Sequence, residues 1–414
     1  METDHQLDID HVRSEFPGLH RGWTYFDNAG GSQILKRVVD RISHYLYETN
    51  VQLGGSYGTS RCAERAVYDG RMAVQSLVNA ERAEEIVFGS STTALLQNLA
   101  RAMRGRLSAG DEIIVTIADH ESNIGPWEQL TDMGVRIRFW EVDRSSCTLR
   151  LEDLRELLNH KTRLVCVAHV SNILGSVAPV KEIAEIAHRH GAEVCVDGVA
   201  YAPHRVVDVR DWDVDYYVFS LYKTYGAHHA VMYGKHDRLL ALDSLNHWFY
   251  GRDKVPAKLE PGNPNYELAY SCTGITDYLS GLGERAGTTG SLREKIEAAY
   301  SSITAHENRL LAPLLAYLNG RSDCRIIGDS QMRDGNRVPT VSFVIDDVDS
   351  KSICSSMDSH KIALRYGDFH ARRLADFLEL PCNGVVRVSM AHYNTSEEVT
   401  RLIAGLDTVL GKVL

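Results

Sequence analysis

The stretch Tyr216-Tyr217-Val218-Phe219-Ser220-Leu221-Tyr222-Lys223-Thr224-Tyr225-Gly226 couples a strand-like apolar run to a Ser-x-x-Lys turn. Upstream, a second apolar run at 192–196 ends on Asp197. The same alternation recurs from about residue 83 to 234, with strand signals at 85–88, 112–116, 135–140, 163–169, 192–196, 216–220 and 230–233. Several are nearly continuous apolar runs, the pattern of strands buried on both faces. Between them lie helical stripes: Leu95, Leu96, Leu99, Ala100 and Met103 keep helical spacing, as do Ile183, Ile186 and Ala187. This order predicts an α/β fold with a mostly parallel seven-stranded sheet wrapped by helices.

After Gly234 the pattern changes. Residues 239–267 carry Pro256, Pro261 and Pro264 and read as a long irregular loop. A helix expected over 276–318 returns the chain to a smaller α/β unit with strands at 340–345, 362–366 and 385–390 and a last helix at 396–413. The 414 residues therefore divide into a segment 1–22 packing near the small unit, a large domain at 23–285 and a small carboxyl-terminal α/β domain at 286–414.

Composition narrows the function classes. A net charge of −10 disfavours nucleic-acid binding, which needs a basic face. No run approaches the roughly 20 apolar residues of a membrane-spanning helix. Met1-Glu2-Thr3-Asp4-His5 lacks the basic and apolar regions of a secretory leader. Eight cysteines without a C-x-x-C pair and 18 histidines without a ligand pattern give no expectation of a metal, and cytoplasm is the expected compartment.

In an open parallel sheet, ligands sit beyond the carboxyl ends of the strands. Gly89-Ser90-Ser91-Thr92-Thr93 joins a strand to a helix there, and its hydroxyls and amides suit a phosphate, or simply a helix cap. His120 follows the strand at 112–116 and could stack on an aromatic ring; Asn172 follows 163–169 and could bond a ligand oxygen or form a turn. Asp197 at a buried strand end needs a positive partner. A lysine able to form a Schiff base, an acid for a pyridinium nitrogen, Ser220 and a phosphate loop together point to pyridoxal phosphate (PLP).

With these blocks the chain resembles the class V aminotransferase-fold PLP enzymes (fold type I), especially cysteine desulfurase-like proteins. Besides the blocks at 119–124, 171–172, 197–198 and 220–226, Tyr25-Phe26-Asp27-Asn28-Ala29-Gly30-Gly31 resembles the substrate-side loop of the family. Glu260-Pro261-Gly262-Asn263 resembles the loop that reaches the partner subunit's phosphate, and Arg387-Val388-Ser389 the strand whose arginine grips the substrate carboxylate. The resemblance implies a homodimer with shared sites and an amino-acid substrate. It puts the coenzyme on Ser91, Thr92, Thr93, His120, Asn172, Asp197, Ser220, Lys223 and Asn263, and the substrate on Arg387, Asn172, Ala29, Gly30 and Arg365.

Departures bear on the reaction. In Arg365-Tyr366-Gly367-Asp368-Phe369-His370, a histidine stands where desulfurases carry the cysteine of a mobile loop. Ala200 replaces a glutamine near the coenzyme phenol, and Tyr222 a histidine before the lysine. The expected activity is a carbon–sulfur β-lyase that forms no enzyme persulfide, with Lys223 as acid/base and Tyr222 or His370 protonating the leaving group. The alternatives are a decarboxylase or decarboxylative aldolase on an acidic amino acid, an aminotransferase, an epimerase, or a binding module without catalysis; the joint presence of Lys223, Asp197 and Arg387 speaks against the last.

Overall fold

The computed structural model describes residues 7–333 and 335–411; parts of the segment 1–22, of the unit 286–414 and of the helix expected at 396–413 therefore lie outside the described residues. In chain order the strands are β1 (Thr24–Tyr25), β2 (Ile86–Gly89), β3 (Glu112–Thr116), β4 (Arg136–Trp140), β5 (Thr162–Ala168), β6 (Glu193–Asp197), β7 (Tyr216–Ser220), β8 (Ala230–Gly234), β9 (Cys324–Ile327), β10 (Thr340–Ile345), β11 (Ile362–Ala363), β12 (Arg365–Gly367) and β13 (Val385–Ser389).

Seven of them form one sheet in the order β2-β8-β7-β6-β5-β3-β4. The pairs β3–β4, β3–β5, β5–β6 and β6–β7 are parallel, whereas β8 runs antiparallel to both β7 and β2. The continuous apolar runs have a direct cause. Val194, Val196, Tyr217 and Phe219 enter the core on one face of the sheet, while Cys195, Tyr216 and Val218 enter the core on the other. Helices must cover both faces, which leaves the strand ends as the accessible edge.

A second, four-stranded sheet has the order β12-β13-β10-β9, with β13 antiparallel to β10 and β12. Its β9 has no counterpart in the sequence expectation. The single strand expected at 362–366 is two short ones that separate at Leu364. Here β11 pairs in parallel with β1, and β12 joins the four-stranded sheet. The helix expected from 276 begins ten residues earlier, as Tyr266–Arg285, and is broken before Leu292–Asn319. Gly287, at φ +88°, sits in the break, and Ser291 with Glu294 forms a capping box that restarts the helix.

We place the seam between the two units along the helix Leu292–Asn319. Its Ile296, Ala299, Tyr300 and Ile303 join the large core, and Leu310, Leu311, Leu314 and Leu318 the small one. The amino-terminal segment touches both sides. Val12, Phe16 and Leu19 enter the large core, while Arg13 binds the Tyr393 carbonyl at 2.7 Å and Glu398 at 3.0 Å.

Candidate active site

The carboxyl ends of β3, β5, β6 and β7 and the start of the helix Thr92–Met103 enclose a cavity of about 80 Å³. Ser91, Thr92, Thr93, His120, Asn172, Asp197, Ala200, Ser220, Tyr222 and Lys223 all line it. Ser91 caps the helix, accepting a hydrogen bond from the Ala94 amide at 3.1 Å. The hydroxyls of Thr92 and Ser220 meet at 2.7 Å, so the helix start and the end of β7 converge on one spot.

Burial sets the protonation states. Desolvation pushes the Lys223 ammonium down to about 8, helped by repulsion from Arg387 and opposed by Asp197 and Asp27. Desolvation likewise lifts Asp197 to about 6, against the pull of the Val199 amide (2.9 Å) and Lys223. His120 is pushed down to about 4, by burial first and then by Lys223, and is neutral at pH 7. The Ser122 amide donates to its Nδ1 at 3.1 Å, which leaves the ring proton on Nε2.

An outer cleft of about 550 Å³ shares His120, Asn172, Tyr222 and Lys223 with the inner cavity and adds Ala29, Gly30, Arg365, Phe369, His370 and Arg387. Arg387 is 2 % exposed, and its guanidinium donates to Asp27 at 3.2 Å and to the Asn172 carbonyl at 3.2 Å. The Phe369 ring lies 3.6 Å from the guanidinium carbon, and burial pushes Arg387 down to about 10. Arg365 reaches the same Asp27 at 3.4 Å. A Cβ on Gly30 would fall 2.7 Å from Arg365 and 2.9 Å from Asp27, so a side chain there would push this pair aside. The rings of His120 and His370 lie 5.1 Å apart at the cleft mouth.

Fourteen of the fifteen residues singled out in the sequence thus line one of two connected cavities. Asn263 does not: it is exposed, with φ +69°, and lines neither. The Asn172 side chain donates its Nδ2 hydrogen to the Phe369 carbonyl at 2.8 Å, which leaves its Oδ1 facing the cleft without a protein partner. The sequence reading gave no role to Asp27, Phe369 or Ser122. Asp27 had been quoted within a motif, but nothing in its spacing points to an arginine 360 residues away. No cysteine lines either cavity. Among the described residues no group of three or more His, Cys, Asp or Glu could hold a metal, and no helix is long and apolar enough to cross a membrane.

The donor set suits PLP. Hydroxyls and a helix start favour a phosphate, a buried acid favours a pyridinium, and a lysine of lowered pKa favours an imine. Two buried polar atoms of the cleft, Asn172 Oδ1 and Arg387 Nε, have no partner within the protein, as expected where a polar ligand belongs. A prediction follows from Asp197. The folded chain holds its proton up to about 6, whereas an unfolded carboxylate titrates near ~4. Without coenzyme, stability is therefore lost as pH rises from about 4 to about 6, by on the order of 3 kcal/mol. Asp197→Asn is expected to raise the melting temperature of coenzyme-free protein at pH 7 and to weaken PLP binding. Melting curves with and without PLP check both signs.

The family model for class V aminotransferases matches residues 24–402. The aminotransferase-like protein FGM3 of Gibberella zeae is 40% identical over 97% of this chain and 98% of its own. The cysteine desulfurase-like protein ustD of Aspergillus flavus is 32% identical over 98% of this chain and 91% of its own. A cysteine desulfurase from Thermococcus onnurineus, solved in its apo form, superposes with a TM-score of 0.87 at 25% identity, covering 99% of both chains. Fold, site chemistry and these likenesses agree: the chain belongs to the class V aminotransferase family, as a cysteine desulfurase-like, PLP-dependent enzyme.

Proposed function

We propose that this enzyme is a lyase that breaks the carbon–sulfur bond at Cβ of a cysteine-type amino acid without forming a persulfide on the protein. The observation that carries this reading is at the cleft mouth. His370 lines the cleft, on the loop that by its resemblance would carry the thiol of a desulfurase, and no cysteine lines the cavities. An imidazole can protonate a departing sulfur but cannot accept it as a persulfide.

In this reading Ser91, Thr92, Thr93 and Ser220 would hold the coenzyme phosphate, Asp197 the ring nitrogen, His120 the ring face and Lys223 the aldehyde carbon. When bound, PLP supplies an electron sink for charge developing at Cα. Arg387 takes the α-carboxylate of the substrate, which then competes with Asp27 for the guanidinium. The Lys223 amine would take the Cα proton; its lowered pKa makes it an effective base near neutral pH. His370 delivers a proton to the sulfur as the Cβ–S bond breaks, and Tyr222, also in the cleft, is the other candidate donor.

Incubation with cysteine S-conjugates is expected to release free thiol, pyruvate and ammonia in equal amounts. Absence of any keto acid across a panel of such conjugates overturns the reading. One observation favours a second one: Arg365 shares Asp27 with Arg387, which gives the cleft two guanidinium groups. A substrate with two carboxylates could engage both, and loss of carbon dioxide from an acidic amino acid would be the outcome. The grip of Arg387 opposes that loss at the α-carboxylate.

The homodimer belongs to the same proposal. Asn263, outside the cavities of its own chain, would meet the phosphate of a second copy. Exposed Val39, Leu46 and Tyr47 on Lys36–Glu48, with Tyr57, Tyr68 and Met72 on or beside Gly58–Val78, offer an apolar face for contact. All eight cysteines are unpaired, which fits a reducing cytoplasm.

A further inference from the structure

The backbone that carries His370 departs from ordinary geometry. Phe369 and His370 have φ of +51° and +60°, two consecutive side-chain-bearing residues in the left-handed region, directly after Gly367 at +138° and Asp368. Such a pair persists only where the surroundings over-determine it. Here they do, from three sides.

From below, Phe369, Ala371 and Leu374 are buried in one cluster with Ile117 and Ala118, beyond the end of β3, and Ile173 and Leu174, beyond the end of β5. From the coenzyme side, Asn172 donates to the Phe369 carbonyl at 2.8 Å, and the Glu121 amide donates to the His370 carbonyl at 2.8 Å. From the solvent side, Arg373 places Nε 3.1 Å and Nη2 3.1 Å from the two oxygens of Glu121, and Nη2 2.7 Å from Glu128. Its guanidinium carbon also lies 5.3 Å from the centre of the Phe139 ring. Glu121 is the residue after His120, so one acidic side chain and its own backbone amide tie the His370 segment to the His120 segment.

We infer that Arg373 and Glu121 are positioning residues that hold 367–374 as a fixed wall of the cleft, with His370 beside His120, in place of the moving loop that a persulfide relay requires. The inference rests on the proposed role of His370, but its physical content is separable from that role. A nucleophile that must carry sulfur away needs reach; an acid that serves one bond in the cleft needs a constant distance. The fork of Arg373 supplies that constancy because a planar guanidinium fixes a carboxylate in orientation as well as in distance. Lysine at this position keeps the charge and loses the fork.

The test compares the PLP-loaded wild type with Arg373→Ala, Arg373→Lys and the Glu121→Gln/Glu128→Gln double variant, which reaches the same contact if Arg373→Ala folds poorly. Amide hydrogen exchange over 368–374 is expected to be slow in the wild type, comparable with the ends of β3. It is expected to be at least tenfold faster in Arg373→Ala and in the double variant, and intermediate in Arg373→Lys. The Arg373→Ala enzyme is expected to lose roughly tenfold in kcat with KM changed less than twofold. The limb of its pH–rate profile that disappears in His370→Asn should flatten. Fast exchange in the wild type, or equal exchange in wild type and Arg373→Ala, overturns the inference. So does accelerated exchange with kcat and pH profile unchanged in an enzyme that His370→Asn does disable. If His370→Asn is itself fully active, the proton-donor role of His370 passes to Tyr222, while slow wild-type exchange still upholds the fixed wall.

Discussion

Lys223→Ala is expected to lower turnover by about 10³-fold to 10⁴-fold and to abolish the borohydride-trapped mass addition of the PLP-loaded protein. The two roles proposed for Lys223 end together in that variant. The amine proposed to hold the coenzyme is gone, and so is the proposed base beside Cα. The geometry argues for both, since Lys223 lines the inner cavity with Asp197 and the outer cleft with Arg387, and no other lysine lines either. Its pKa of about 8 results from burial and the nearby guanidinium outweighing two carboxylates. Substitution should leave the fold intact, because the short helix Leu221–Lys223 is held by backbone bonds, including Leu221 N to His229 O at 2.8 Å. Mass spectrometry after borohydride, together with steady-state rates, reads the two roles separately. A variant that kept a tenth of the activity would remove Lys223 from the chemistry.

Arg387→Ala is the second large effect. Truncating one partner of a buried, hydrogen-bonded charge pair costs ~2–5 kcal/mol, or roughly 30-fold to several thousandfold in kcat/KM. The loss should fall mainly on KM if the guanidinium binds the carboxylate equally in ground and transition states. The variant also removes one of the two arginines on Asp27 and the face against which Phe369 stacks, which leaves Asp27 to Arg365. Arg387→Lys is expected to recover less than a tenth of the loss, since an ammonium cannot bind the carboxylate in two parallel bonds. Substrate titrations of the three enzymes decide it, and an unchanged KM in Arg387→Ala would place the carboxylate elsewhere.

Local regularities carried much of the fold. Strands buried on both faces announce themselves as apolar runs, and the inner strands of the seven-stranded sheet were legible that way, whereas β4, at its edge, is only partly buried. The helix Thr92–Met103 was legible because its stripe and its Ser/Thr start agree. The errors lay where the chain is polar or short. Leu364 splits an expected strand between two partners, and β9 was missed because its burial is partial. Helix Tyr266–Arg285 starts beside Pro264, a position that reads as loop, yet proline restricts the residue before it and not a helix that begins after it.

The site divides in the same manner. Composition and order in the sequence alone set out a Ser/Thr-rich turn after β2, a buried acid at the end of β6 and a lysine after β7, because each belongs to the strand that delivers it. Only tertiary structure decided that Asp27 holds Arg387 and Arg365, that Phe369 covers the guanidinium, that Asn172 is engaged with the loop, and that Arg373 reaches Glu121. Apart from Phe369 and Arg387, those contacts join residues 197 to 360 positions apart. Their geometry is set by how two sheets pack, a property that no local periodicity encodes.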